Sequence, residues 1–263
     1  MKYILVTGAY GGMGLATSRA LRDAGWRVFA LDKSVGEPEE NIIPIEVDVS
    51  SEESVRTAFD KVRSYTDSLC AIVHFAGIYM LDSLVEMDAA SFRRIFDVNM
   101  YGVFLINKIF LPLLSKGSRI VITTSELAPL DPLPFTGIYA VTKGALDKYA
   151  YSLRMELQLL EISVSVLRAG AANTSMLSAS TAYLDRFCEK TELYSCNADR
   201  FKKIVGKVEA RCVSPQKVAK KTIKILGKRN PRFAYSINLN PLLLLLNALP
   251  KRMQFFVIRL ILR

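Results

Sequence analysis

Apolar runs rich in β-branched residues recur at 3–7, 27–31, 42–47, 69–75, 119–124 and 163–168, and helix-compatible sequence follows each of them. The runs are unbroken rather than alternating, as in Ile4-Leu5-Val6 and Ile120-Val121-Ile122. A strand that is apolar on both faces must be covered on both, so the pattern predicts a parallel sheet with helices packed on either side. After Arg168 the alternation lapses. Residues 171–213 carry no strand signal but hold Tyr183, Phe187, Tyr194 and Phe201, and are read as a long irregular insertion that forms a lid. Regular structure is expected again from Ser214-Pro215, with serine as N-cap and proline opening a helix that runs to Gly227, then a last strand at 232–238. No repeat or linker divides the chain, so one domain spanning 1–263 is expected.

The stretch 241–263 is rich in Leu, Ile and Phe. Asn247, Pro250, Lys251 and Arg252 interrupt it before the roughly 20 apolar residues that a membrane-spanning helix needs. On a helix, Arg252, Arg259 and Arg263 fall near one face, opposite Phe255, Ile258 and Ile261. That pattern fits an interfacial helix with peripheral membrane contact, and it also fits a helix packed on the protein's own core or on a second subunit.

Composition narrows the class. With 51% hydrophobic and 23% charged residues, the chain lies outside the disordered range. The net charge of +10 comes from the last quarter, where residues 201–263 hold 15 Lys/Arg against the single acid Glu209. This basic bias comes with no nucleic-acid recognition motif, so no nucleic-acid partner is expected. No apolar signal-peptide region opens the chain, Cys70, Cys188, Cys196 and Cys212 have no paired spacing, and His74 is the sole histidine. A cytoplasmic protein with free thiols and no metal site is expected.

The first strand runs into Thr7-Gly8-Ala9-Tyr10-Gly11-Gly12-Met13-Gly14 and then a helical segment. A glycine-rich turn between a strand and a helix lets backbone N–H groups approach a pyrophosphate, whose charge the helix N-terminus favours. The placement predicts a Rossmann-type, doubly wound α/β fold that binds a dinucleotide. Asp32, at the end of the second strand, is placed to accept hydrogen bonds from ribose hydroxyls and to repel a 2′-phosphate. NAD is therefore expected over NADP, although the neighbouring Lys33 could offset the repulsion.

Tyr139 and Lys143 are four apart on a predicted helix and so share one face. A free tyrosine, with a pKa of about 10, is a poor base at neutral pH, and a nearby ammonium lowers that value. The pair is expected to act as a general acid or base on an alcohol/ketone couple, beyond Ser125 at the end of the fifth strand.

At this point the sequence resembles the short-chain dehydrogenase/reductases, in their compact single-domain branch, over roughly residues 3–240. Thr7-Gly8-x-x-x-Gly12-x-Gly14 is similar to the cofactor motif, Asp48-Val49 to the adenine pocket, and Asn99, Ser125 and Tyr139-x-x-x-Lys143 to the reaction centre. The resemblance implies that Tyr139 exchanges a proton with the substrate oxygen, Lys143 lowers its pKa and holds the nicotinamide ribose, and Ser125 orients the substrate. Asn99 would position a water that links the lysine to solvent. It further implies cofactor contacts from Gly8, Tyr10, Gly11, Gly12, Met13, Gly14, Ala76, Gly77, Gly170 and Thr174.

Departures from the family pattern are local. Asn-Asn-Ala-Gly becomes His74-Phe75-Ala76-Gly77, with His74 read as structural, and Pro-Gly becomes Ala169-Gly170. Thr124 could stand in for Ser125. Gly8, Gly11 and Gly14 also fit the spacing of the extended branch, but the chain is too short for that branch's larger substrate domain.

Met176, Leu177, Tyr183, Leu184, Phe187 and Tyr194 of the lid, with Met80 and Leu127, are expected to face the nicotinamide. Such a pocket suits a lipophilic secondary alcohol or ketone, and the Leu-rich tail resembles family members acting on steroids and retinoids, so a steroid or bile acid is one candidate. An NADPH-dependent ketoacyl or carbonyl reductase and a dinucleotide-sensing binding protein remain as alternatives. The family resemblance implies a homodimer or homotetramer through the helices that contain Asn99 and Tyr139.

Overall fold

A computed structural model describes residues 2–209 and 212–263, with the side chains at 175, 176, 178 and 206–209 outside the description. Seven strands form one parallel sheet: β1 (Lys2–Thr7), β2 (Trp26–Asp32), β3 (Ile42–Glu46), β4 (Leu69–His74), β5 (Leu114–Ser125), β6 (Ser163–Ala169) and β7 (Ala234–Ile237). Their order is β3-β2-β1-β4-β5-β6-β7. The direction of winding therefore reverses between β1 and β4, and at such a switch point the loops at the strand C-termini part to leave a crevice.

The unbroken apolar strands are covered on both faces, as their composition requires. On one face α2 (Glu52–Arg63), α4 (Gly102–Phe110) and α5 (Gly137–Leu157) send Val55, Ile106, Phe110 and Leu146 into a cluster with Leu5, Phe29 and Ile72. On the other, α1 (Gly12–Asp23) and α8 (Pro215–Leu226) contribute Leu21, Val218 and Ile225 against Ile4, Val6 and Val73. Facing pairs such as Leu5 and Val6 alternate across the pleat, which is why both neighbours in sequence are fully buried. The α8 helix starts where Ser214-Pro215 predicts, although the Ser214 side chain makes no capping bond.

α3 (Ala89–Phe96) joins α4 through a π-helical turn, Asp97–Tyr101, which carries Asn99. The run Ala89–Leu113 has the length and composition of a membrane span, yet half of its most apolar window is buried within this fold.

The lid is not irregular. It consists of α6 (Ser175–Lys190) and α7 (Ser195–Glu209), whose Leu184, Phe187, Ala198 and Phe201 recur at helical spacing and pack round Phe135 and Leu81. Lysines and acids interspersed between those positions dilute the periodicity and hide it from a search for strands. The tail forms two helices, α9 (Pro241–Ala248) and α10 (Lys251–Leu262). α10 docks on α7, where Asn197 Nδ2 donates to Leu262 O at 2.7 Å, and it is tied back to the end of α9 by buried Gln254, which donates to Leu249 O at 2.8 Å. This changes the expected face of the helix. Ile258 turns inward and is half-buried, whereas Phe255 and Ile261 are exposed beside the arginines.

Candidate active site

The crevice at the switch point holds two adjoining spaces. The first is a groove of about 900 Å³ lined by Gly8, Tyr10, Gly11, Gly12, Met13, Gly14, Asp32, Asp48, Val49, Ala76, Gly77 and Thr174, which unites nearly all of the expected cofactor contacts. At Gly8 and Gly14 its floor admits no side chain. Gly8 adopts φ +64°, and a Cβ there would lie 2.5 Å from Ala76 N; a Cβ on Gly14 would lie 1.9 Å from Gly8 O. The α1 N-terminus behind this turn carries no acid in its first turn, so its positive end stays available to an anion. A dinucleotide pyrophosphate fits this donor set.

The carboxylate of Asp32 is fixed by two backbone donors, Tyr10 N and Lys33 N, each at 2.8 Å. Lys33 itself is engaged elsewhere, its Nζ lying 2.6 Å from Asp48 Oδ2. With Ser50 donating to the other oxygen of Asp48, that carboxyl is held down at about 2, the Lys33 hydrogen bond being the largest cause.

The second space, about 250 Å³, contains the candidate reaction centre: Ser125 at the end of β5, Tyr139 and Lys143 on α5, and Gly170 after β6. Lys143 is buried, with its Nζ 5.7 Å from the centre of the Tyr139 ring and donating to Thr123 O at 3.3 Å. Burial pushes the Lys143 ammonium down to about 8. Burial also pushes the Tyr139 phenol above the ordinary tyrosine value, Tyr79 and Glu126 add to the rise, and the hydrogen bond with Ser125 opposes it. The expected lowering of Tyr139 by Lys143 is therefore absent from the protein alone. Desolvation dominates, and the ammonium is held against the Thr123 carbonyl.

Asn99 is buried, but its amide binds protein at both ends: Ile78 N donates to its Oδ1 at 2.8 Å and its Nδ2 donates to Ile78 O at 2.9 Å. It thereby fastens the π-helical turn to the loop after β4. Gly77 lies between it and Lys143, since a Cβ there would meet Asn99 Oδ1 at 3.2 Å and Lys143 Nζ at 3.4 Å. Thr124 does not replace Ser125, because its hydroxyl donates to Asp147, which also takes the Arg168 guanidinium at 2.7 Å. His74 is structural, as read: its Nε2 lies 3.0 Å from Asn107 Oδ1 in the core.

The apolar lining differs in part from expectation. Leu177 and Leu127 line the cavity and Tyr183 lines the cofactor groove. Met80 instead packs on Ile95 and Ile138, and Leu184, Phe187 and Tyr194 turn into the lid's own core. The Met176 side chain lies outside the described residues. The remaining wall, missed by the sequence reading, comes from Tyr79, Leu133, Phe201, Ile204, Val205 and Leu243 of α9. Tyr79 stands 4.8 Å from Tyr139 between ring centres. None of these has a motif around it, and only their convergence in space reveals them.

A doubly wound sheet with a glycine turn at its switch point, opening onto a half-buried tyrosine beside a buried lysine and serine, is the framework of a nicotinamide-dependent oxidoreductase. Residues 2–184 match the short chain dehydrogenase family, and the chain belongs to it. It is 26% identical to a 3-ketodihydrosphingosine reductase of Bacteroides thetaiotaomicron over 98% of this chain and 96% of that protein. A mouse estradiol 17-beta-dehydrogenase 2 is 32% identical over 66% of this chain, a match spanning 49% of the mouse protein. The fold superposes on a 3-ketoacyl-(acyl-carrier-protein) reductase of Brucella melitensis, crystallised with NADH, with a TM-score of 0.74, 20% identity, and coverage of 91% of this chain and 97% of that one.

Proposed function

We propose that the protein is an NAD-dependent dehydrogenase/reductase interconverting a secondary hydroxyl and a ketone on a lipophilic substrate. The observation that carries this reading is the cavity itself: Leu127, Leu133, Leu177, Phe201, Ile204, Val205 and Leu243 wall the space in front of Ser125 and Tyr139. An aliphatic or polycyclic substrate, a steroid or bile acid among them, gains from burial there. Bound dinucleotide supplies the hydride donor or acceptor. Tyr139 passes the proton to or from the substrate oxygen, Ser125 donates a hydrogen bond to that oxygen, and the Lys143 ammonium favours the phenolate once a substrate and cofactor draw it from Thr123.

Asp32 supports NAD. Its fixed carboxylate meets a 2′-phosphate with like charge, and the Lys33 ammonium is held by Asp48. Initial rates on a panel of steroids, bile acids and long-chain secondary alcohols, followed by cofactor absorbance, should show NAD preferred by about tenfold or more in kcat/KM. A preference for NADP sinks this assignment and favours the second reading, an NADPH-dependent reductase, for which a fission-yeast relative named as an NADPH-dependent 1-acyldihydroxyacetone phosphate reductase, 29% identical, speaks.

The same reading gives the tail a role as a dock on an anionic bilayer. Leu242, Leu245, Phe255, Phe256 and Leu260 are each at least 65% exposed, Arg252, Arg259 and Arg263 stand among or beside them, and 241–263 holds no acid. Leu243 joins this surface to the cavity wall, so a lipid substrate has a short path from the bilayer. Replacing Phe255 and Phe256 by serine should weaken sedimentation with phosphatidylglycerol vesicles about tenfold or more; unchanged binding removes the dock. Self-association rests on a separate surface, where α4 and α5 and the turn before α4 expose Tyr101, Phe104, Val141, Tyr151 and Met155. A monomer in analytical ultracentrifugation at micromolar concentration rules it out.

A further inference from the structure

Apart from Lys143, one charged side chain lines the cavity, among the described residues: Glu126, the residue after Ser125. Its place is fixed from two sides. Oε2 accepts a hydrogen bond from Asn240 N at 2.5 Å, at the turn into α9. Oε1 lies over Gly170, where a Cβ would come within 2.9 Å of it and within 2.0 Å of Asn238 O, so the absence of a side chain at 170 leaves the carboxylate its room.

No Lys or Arg pairs with Glu126 among the described ion pairs. Lys143 donates to Thr123 O, and Arg168, on the adjacent strand, is taken by Asp147. Burial pushes the Glu126 carboxyl up, against the pull of the Asn240 N–H. An unpaired carboxylate in an apolar wall is costly, and a glutamine carbonyl would serve Asn240 N at less cost. A carboxyl group next to Ser125, with one oxygen that accepts no hydrogen bond from the described residues, is matched by a cation from the ligand.

We infer that Glu126 is a specificity residue that receives a protonated amino group carried by the substrate within a few bonds of the reacting carbon. The substrate class is then a lipophilic amino alcohol and its amino ketone. This inference rests on the proposed dehydrogenase/reductase function. It adds no chemical step: the amine is held as its ammonium while hydride and proton move at the neighbouring carbon.

The test compares two matched probes, a long-chain alcohol bearing a primary amine on the carbon next to the secondary hydroxyl and the same alcohol without the amine, oxidised with NAD by the wild type and by Glu126→Gln. The glutamine keeps an acceptor for Asn240 N and removes the charge. The wild type should favour the amine in kcat/KM, and the variant should lower that preference ratio by about tenfold to a hundredfold, the range of a charge-assisted hydrogen bond. A long-chain primary amine without a hydroxyl should also raise the melting temperature of the wild-type protein with NAD more than that of the variant. The inference is overturned by an unmoved ratio, by equal losses on both probes, or by an equal thermal response to the amine. Turnover of other lipophilic alcohols with neither probe accepted also overturns it while leaving the proposed function intact. Inactivity toward every lipophilic alcohol and ketone, with either cofactor, is instead the failure of the proposed function, and the thermal comparison then still judges Glu126.

Discussion

The groove over β1 to β3 and the cavity beneath α6 and α7 share one crevice but are held by different forces. In the groove, position is set by main chain: Gly8 and Gly14 allow approaches that a Cβ would block, and Asp32 is gripped by two backbone N–H groups. In the cavity, position is set by rings and aliphatic chains around Phe135, which meets Phe187, Tyr194 and Phe201 at 4.5 to 5.0 Å between centroids. Backbone geometry tolerates few residue types, whereas apolar packing tolerates many of similar volume. The first region can therefore stay constant across a family while the second changes with the substrate.

The reaction centre lies where the two regions meet, and removing its proton carrier separates them most sharply. Tyr139→Phe keeps the ring beside Tyr79 and deletes only the hydroxyl. We expect turnover to fall by a thousandfold or so, near the upper range for general acid–base catalysis, with NAD affinity in a fluorescence titration within about threefold of wild type. Retained turnover moves the proton transfer to another group. A protein that binds NAD but shows no hydride transfer even as the wild type would be a sensor rather than an enzyme.

This contrast also explains what the sequence made legible. Gly8, Gly14, Asp32, Ser125, Tyr139 and Lys143 carry requirements that restrict residue type at fixed spacing, and the structure gathers them in one crevice. The alternation of strands and helices was equally plain, because burial on both faces leaves unbroken apolar runs. By contrast α6 and α7 were hidden: their apolar stripes are narrow, bury one face only, and are interleaved with Lys, Arg, Asp and Glu. The inward turn of Phe187 and the approach of Leu243 from a helix far along the chain depend on tertiary packing, which no local pattern encodes. The Tyr139 shift runs opposite to expectation for a related reason: burial is the largest cause for both residues of the pair, and their spacing on a helix does not report it.

A cavity mutation probes the packed side of the comparison. Phe187→Ala removes a ring that is 2% exposed, touching both Phe135 and Phe201. A loss of about 3 kcal/mol is expected, measurable as a lower urea midpoint, and it should weaken substrate binding while leaving NAD affinity nearly unchanged. Phe135 itself sits at φ 63°, a conformation uncommon for a bulky side chain, so its ring contacts must hold the turn against local strain. Equal losses in NAD and substrate affinity would show that the lid and the groove are one cooperative unit, contrary to the division drawn above.

The effect confined to the narrowest conditions is the best isolated, because His74 is the only histidine in the chain. It ends β4, is 2% exposed, and meets Asn107 Oδ1 through Nε2 at 3.0 Å. Burial pushes its pKa down to about 4, with the Asn107 hydrogen bond opposing. An unfolded chain protonates histidine near pH 6.5, so between about pH 6.5 and about pH 4 the unfolded state binds more protons than the folded one. Stability from this group is fully present above the unfolded value and is lost as pH falls through the folded one. At about 1.4 kcal/mol per pH unit the full window is worth on the order of 3 to 4 kcal/mol. His74→Asn removes the titration, so the gap between the urea midpoints of wild type and variant should close, or reverse in the variant's favour, as pH is lowered from about 7 to about 4.5. Parallel pH profiles would mean that the imidazole takes up its proton at the same pH in the fold as in the unfolded chain, so that burial beside Asn107 does not hold it neutral.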